Sequence, residues 1–502
     1  MSTVALTLLL LGLALLLCLK CTKIFKSNHS RNIPLPPGPK RLPLWGNAFN
    51  IPTMIPWKTY AEWTQQYGDI IFMQVFGQPF VVLNSIDSVV DLLEKRSSNY
   101  SDRTLPEMVK LMGLDWNFAF IRYGPLWRRH RRGFHQFMNQ TAIQEYEPVQ
   151  REGARNLLRR LYAEPKKFAH HIRYTFGASA LAVSHGIRAA DKDDEIVAAT
   201  ERALEGSTDA VAPERYWVNY IPLLKYIPAW VPGAEFQRKA VRVRVDAIAT
   251  KEMSWNNITR AGPYKSLAIK LLERISHLDG EAYAQEEDVA KNTVSALHCF
   301  FLAMTLYPEA QRRAQEELAS VLGPSRLPEF ADGPRLPYIN ALCNECLRWQ
   351  PVLPLSVPHR SINDDEYRGY FIPAGTVIIQ NTWAILHDPE VYPNPDEFRP
   401  ERFLKNGELY PAARYGPEVA FGAGRRICPG RYFAEKSLFM NVACILQTFN
   451  VSAPLDPQGR PIKIEPKMMS GNTHPEPFEC VIEPRSKMAE ALILGQSKEE
   501  VW

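Results

Sequence analysis

The chain has 502 residues, of which 46% are hydrophobic and 23% charged, so it can bury a sizeable core. A formal net charge of +5 is too small at this length to imply nucleic-acid binding, though it leaves room for a local basic face toward an acidic partner. The eight cysteines stand at 18, 21, 299, 343, 346, 428, 444 and 480 without the CxxC…CxxC arrangement of a zinc site, which points to free thiols in a reducing compartment.

In chain order, Thr3 to Leu19 carries no charge. As a helix it spans about 25 Å, the short end of what crosses a bilayer. Lys20, Lys23, Lys26 and Arg31 follow it. Positive charge after the span predicts a lumenal N-terminus and a cytosolic body. The basic cluster lies on the wrong side for a cleaved signal peptide, and no A-x-A-like site follows. Residues 1–30 are therefore read as a transmembrane helix with its basic flank, and 31–502 as a single domain. Sequons such as those at Asn99 and Asn139 then face the cytosol and stay bare.

Ile33 to Asn47, with prolines at 34, 36, 37, 39 and 43, reads as a stiff extended spacer. Two stretches predict hairpins: "IIFMQVFGQPFVVLNS" about a Gly-Gln-Pro turn, and "YRGYFIPAGTVIIQNTWAIL" about Pro-Ala-Gly. "PEAQRRAQEELASVL" and "YINALCNECLRWQ" have helical apolar spacing. The fold class expected is mainly α with small β-sheets at one side. Glu214 to Phe236, rich in aromatics and prolines, reads either as a packed loop or as a loop dipping into a membrane interface.

The densest pattern is "FGAGRRICPG", Phe421 to Gly430. A cysteine ligates metal as thiolate, so its surroundings must stabilise negative charge on sulfur. Gly422, Gly424 and Gly430 allow the backbone a close approach to a planar group and turn amides toward the sulfur. Arg426 reaches an anionic group near the ligand. Pro429 and the residues after it open a helix whose N-terminal dipole favours thiolate.

With this loop, F-x-x-G-x-R-x-C-x-G, the chain resembles the cytochrome P-450 superfamily of haem-thiolate monooxygenases, from the anchor to the last residues. Cys428 is then the axial ligand of haem b (iron protoporphyrin IX), framed by Phe421, Gly424 and Gly430. "ECLR" supplies the family's E-x-x-R pair, Glu345 and Arg348, and "FRPERF" supplies Arg402, completing a buried network that braces the cysteine loop. "WRRHR" places Trp127 and Arg131 like the family pair at a haem propionate; "VPHR" places His359 at a propionate, with Arg426. Arg128, Arg129, Arg131, Arg132, Arg425, Arg426 and Lys436 form an expected basic face for an acidic reductase. The resemblance further implies NADPH electrons through NADPH–cytochrome P-450 reductase, with cytochrome b5 as a second donor. It implies a small apolar substrate and a single-pass location in the endoplasmic reticulum membrane. "PHRSINDDEYRGYFIPAGT" is similar to fungal enzymes of secondary metabolism, which take terpenoid, polyketide or aromatic substrates.

One family feature is missing. A-G-x-[D/E]-T, which makes room for O₂ and relays protons to it, should lie in a long helix before Pro308. Here the chain reads "EEDVAKNTVSALHCFFLAMTLYPEAQ". About a dozen residues are absent, roughly 20 Å of helix. The oxygen-side helix is expected to be truncated. Either Thr293 or a neighbour such as Ser295 takes over proton delivery, or the chain is an inactive haem-binding remnant or a mis-joined gene model.

Overall fold

The computed structural model describes residues 33–190, 194–211, 215–257, 286–410, 416–468 and 475–495. The expected anchor, residues 1–30, lies outside these. Among the described residues no helix is long and apolar enough to cross a membrane.

Helices carry most of the chain. The main ones are α1 (Glu107–Leu111), α2 (Pro125–Met138), α3 (Glu147–Ala163), α4 (Phe168–His185), α5 (Glu195–Val211), α6 (Glu235–Asn257), α7 (Glu286–Leu306), α8 (Pro308–Leu322), α9 (Pro337–Trp349) and α10 (Arg431–Thr448). Proline at the first turn starts α2, α8 and α9, where its missing N–H costs nothing. α10 is buried continuously from Ser437 to Thr448. A helix apolar on all sides belongs inside a bundle, and α10 packs with α3, α7, α8 and α9 in the largest core cluster. Because the cysteine loop runs directly into α10, a deeply buried helix of the bundle sets the position of Cys428.

α7 spans 21 residues, about 31 Å at the helical rise. Its second half is fully seated: Ala296 to Met304 are buried, and the His298 ring bonds the Ala169 carbonyl of α4 at 3.1 Å.

The main sheet has strand order β1-β2-β7-β4-β3, formed by Ile70–Val75, Gln78–Leu83, Val377–Gln380, His359–Arg360 and Asp102–Arg103. Both hairpin expectations are corrected in their turns. The first turn is Phe76-Gly77, with φ of 46° and 80°, a two-residue loop with both residues at positive φ, which matches the right-handed twist of the strands. Gln78 and Pro79 already belong to β2. In the second, β5 (Asp365–Tyr367) and β6 (Tyr370–Ile372) turn at Arg368-Gly369. Pro-Ala-Gly instead carries the chain out to β7, which pairs in parallel with β2 in the other sheet. The proline-rich stretch is extended as expected but docked: Pro34 and Pro37 carbonyls accept from Phe371 and Phe72 amides, both at 2.8 Å.

The aromatic stretch before α6 folds as two 3₁₀ turns, Trp217–Asn219 and Pro222–Tyr226. Val218 is buried, yet Tyr226 and Trp230 are 74% and 79% exposed. Trp217 meets Phe76 at 5.7 Å between ring centroids, and Phe76 meets Trp45 at 5.5 Å. Two distant segments thus share one apolar outer patch with Leu42, Trp45 and Phe49.

Burial pushes the His185 and His387 imidazoles down to about 3, with Arg348 adding to the effect at His387. Both stay neutral in the folded protein while the unfolded chain protonates them below about pH 6.5. Stability is therefore unaffected by these groups above that pH and falls below it, by about 1.4 kcal/mol per pH unit for each. Urea melts at pH 7, 6 and 5 should show this loss, and His387→Asn, placed away from the site, should reduce the slope.

Candidate active site

The cysteine loop is held from below by a 3₁₀ turn, Pro417–Phe421, and a second one, Gly424–Arg426. The Cys428 amide donates to the Phe421 carbonyl at 2.8 Å, closing the loop, and Gly430 is the N-cap of α10. Gly424 has a packing role of its own. A Cβ there would lie 1.9 Å from the Leu93 carbonyl oxygen, on a backbone with φ of 60°. The glycine lets the loop pack on the π-helical turn Val90–Lys95. Gly424→Ala combines a left-handed residue with a backbone clash that no rotamer relieves, and should destabilise the fold by about 3 kcal/mol or more. A thermal melt of the variant checks this.

Arg426 turns inward and is buried. Its Nε donates to the Ser101 carbonyl at 2.8 Å and its Nη2 to the Ile121 carbonyl at 2.7 Å. The guanidinium lies over the Trp127 ring at 4.3 Å. Burial, then Arg103, pushes its pKa down to about 8. Arg131, one turn after Trp127 on α2, donates to the Ile427 carbonyl at 2.7 Å. Burial lowers the pKa of Arg131, and negative charge on Cys428 acts to raise it again. His359 on β4 is buried, with Nδ1 2.7 Å from the Tyr100 carbonyl. That bond leaves Nε2 as the ring's other polar atom. Desolvation, with Arg103 and Arg426 nearby, holds the imidazole well below its ordinary range.

The bracing network is complete. Arg348 donates to Glu345 through Nε at 2.7 Å and Nη2 at 2.9 Å, and both side chains are fully buried. Arg402 Nε reaches Glu345 at 3.3 Å, and the Arg399 amide donates to the same carboxylate at 2.8 Å. The remaining guanidinium N–H groups take the carbonyls of Leu386, Pro393, Asn394 and Glu397.

One expectation changes. The basic face is smaller: Arg426 and Arg131 point into the protein and Lys436 pairs with Glu147. Arg128, Arg129, Arg132 and Arg425 are the exposed members, with Arg128 and Arg425 against the Tyr123 ring. Thr293 falls within α7 by its backbone, and its side chain is outside the described set. Sequence reasoning also missed Arg103, a buried cation on β3 that holds the Val357 carbonyl and sits beside His359 and Arg426. It carries no motif; only the pairing of β3 with β4 brings it there.

Two buried donors, Trp127 Nε1 and Arg426 Nη1, have no hydrogen-bond partner among the described residues. One buried guanidinium nitrogen and an indole N–H without acceptors are costly. Beside a half-buried cysteine, they fit a flat, sulfur-ligated prosthetic group whose anionic side groups would accept from them. The site is thus of the haem-thiolate class in its donor chemistry. Bound there, haem would supply oxygen chemistry tuned by thiolate donation, while the chain supplies ligand and orientation.

The cytochrome P-450 family matches residues 36–481, and the chain belongs to that family. It is 41% identical to a cytochrome P-450 monooxygenase of Coprinopsis cinerea over 93% of this chain and 92% of that one. A second from the same fungus is 40% identical over 93% and 94%. Tryptamine 4-monooxygenase of Psilocybe cyanescens is 38% identical over 95% and 98%.

Proposed function

We propose that this chain is a haem-thiolate monooxygenase of fungal secondary metabolism, inserting oxygen from O₂ into an apolar small molecule. Cys428 ligates haem iron, and Trp127, Arg131, His359 and Arg426 take its propionates. Electrons come from NADPH through a reductase docking on Arg128, Arg129, Arg132 and Arg425. The observation that carries the reading is the pair of orphaned buried donors, Trp127 Nε1 and Arg426 Nη1, beside the cysteine loop. The exposed aromatic patch supports a body resting on the endoplasmic reticulum membrane, because Trp and Tyr settle at headgroup depth. Terpenoid, polyketide and aromatic compounds form the substrate panel, and the relative named for tryptamine adds an aromatic amine to it.

The test is a reduced carbon monoxide difference spectrum, followed by NADPH- and reductase-dependent turnover on that panel. A thiolate-type band with product formation supports the reading; no thiolate-type band sinks it.

The absence of A-G-x-[D/E]-T from the sequence favours a second reading, a haem-binding chain without oxygenase turnover. The sequence of α7 holds Asp288 and Thr293 but not that motif. A thiolate-type band without product, and uncoupled NADPH consumption, would select it. A transcript restoring the motif would instead show a mis-joined gene model.

A further inference from the structure

α6 has two unlike faces. Ala240, Val243 and Ala247 are buried in an apolar cluster with residues of α1 and α5. On the opposite face Val241, Val245 and Ile248 are 62%, 63% and 45% exposed. Single exposed apolar side chains are ordinary, whereas a contiguous row marks an interaction surface. Steps of three and four residues share a helix face. Arg238, Val241, Val245, Ile248 and Glu252 therefore form one stripe, and all five are exposed.

The charges beside the stripe are drawn off it. Arg244 lies over Gly113, just after α1, with its Cγ 3.1 Å from where a Cβ on that glycine would stand. On the other side Asp246 pairs with Arg202 of α5 at 2.9 Å, and Arg242 stands one turn before it. The stripe is left with an apolar middle, a cation at one end and an anion at the other. Such a row complements its own reverse. Arg238 and Glu252 each stand two helical turns from Val245. Laid antiparallel on a second copy about Val245, Arg238 faces Glu252 of that copy, and the valines and isoleucine fill the space between. A lipid surface offers Glu252 no fixed cation.

We infer that the outer face of α6 is a homodimer interface, with two copies of this chain pairing antiparallel about Val245. The stripe is about 21 Å long and about 10 Å wide, so it covers roughly 200 Å² per copy. A stable complex buries roughly 800 Å² per partner. The pairing is therefore weak between free molecules and gains when copies are concentrated on one membrane. That gain rests on the proposed membrane location. The stripe itself rests neither on that location nor on the monooxygenase reading.

The experiment is thiol cross-linking of the full-length protein in phosphatidylcholine vesicles. Copper phenanthroline accepts the two electrons released as two thiols join and lose their protons. Wild type, with its own cysteines, is the baseline. Val245→Cys, on the two-fold axis, should raise the dimer yield several-fold. Glu252→Cys alone should not, since its two copies stand about 21 Å apart. Glu252→Cys mixed with Arg238→Cys should. A second arm reads energy transfer between donor- and acceptor-labelled copies. Val245→Glu sets like charges face to face and should lower the dimer fraction about tenfold. Arg238→Glu should lower it too, and adding Glu252→Arg should restore it. No rise with Val245→Cys, an equal rise with Glu252→Cys alone, or no rescue by the reversed pair overturns the interface. So does Val245→Glu that weakens vesicle binding while the dimer fraction holds, which assigns the face to lipid. The reduced carbon monoxide spectrum should be the same in every variant. A lost dimer with an unchanged band therefore leaves the haem reading intact, and a missing band in wild type leaves the cross-linking to decide the interface.

Discussion

Cys428→Ser, expressed and supplied with haem, is expected to give no thiolate-type band in the reduced carbon monoxide spectrum, and turnover at background. The substitution removes the sulfur proposed as the haem ligand and leaves the loop otherwise intact. The amide at 428 still donates to the Phe421 carbonyl, and Arg131 still holds the Ile427 carbonyl. The fold should therefore melt within about 1 kcal/mol of wild type, since the side chain is half-buried and the change small. A normal melt with a lost band assigns the ligand. A normal band in Cys428→Ser would move it to another residue. The other described cysteines are poor alternatives: burial pushes the Cys299, Cys444 and Cys480 thiols up to about 12. A thiol held that high does not supply thiolate.

The largest effect on folding is expected from Glu345→Ala. Among the described residues Glu345 is the one carboxylate paired with Arg348 and Arg402, and its side chain and that of Arg348 are fully buried. Its removal leaves two guanidinium groups uncompensated and takes the acceptor from the Arg399 amide. Breaking a buried pair from one side costs about 3–5 kcal/mol. That is a large share of the roughly 5–15 kcal/mol by which domains are stable. The variant should express mainly as aggregate, with little haem incorporated. Glu345→Gln keeps an acceptor for Arg399 and should lose less, but both charges remain unmatched. The triple change Glu345→Leu, Arg348→Met, Arg402→Leu removes the charges together and should recover part of the soluble yield. Equal failure of single and triple variants would mean that the arginine bonds to the Leu386, Glu397 and Asn394 carbonyls matter more than the charge pairing.

The fold class, the cysteine loop, the E-x-x-R pair and the Trp127–Arg131 pair are readable from residue order, because each depends on neighbours within a helical turn or one tight loop. Glu345 and Arg348 face each other because i and i+3 share a helix face. The cysteine loop is readable because its glycines and proline act on their own backbone. The second hairpin escapes residue order for a related reason: Pro-Ala-Gly does mark a turn, but nothing in a turn states which sheet receives the next strand.

The features beyond residue order involve pairs hundreds of positions apart. Arg426 meets the Ser101 carbonyl across 325 positions and Asn219 meets Met108 across 111. Whether an arginine reaches solvent or a buried cradle depends on where the other segments fold. That is why seven basic residues read as one face in the sequence and only four of them are exposed in the fold. Local spacing determined what lies close along the chain: a cysteine framed by glycines and a proline, arginines near it and an i,i+3 ion pair. Only packing of α2, β3 and β4 against the cysteine loop decided which of those cations turn inward and which donors are left awaiting an anion. The reason is physical: local geometry follows from covalent connectivity, whereas burial is a property of the assembled whole.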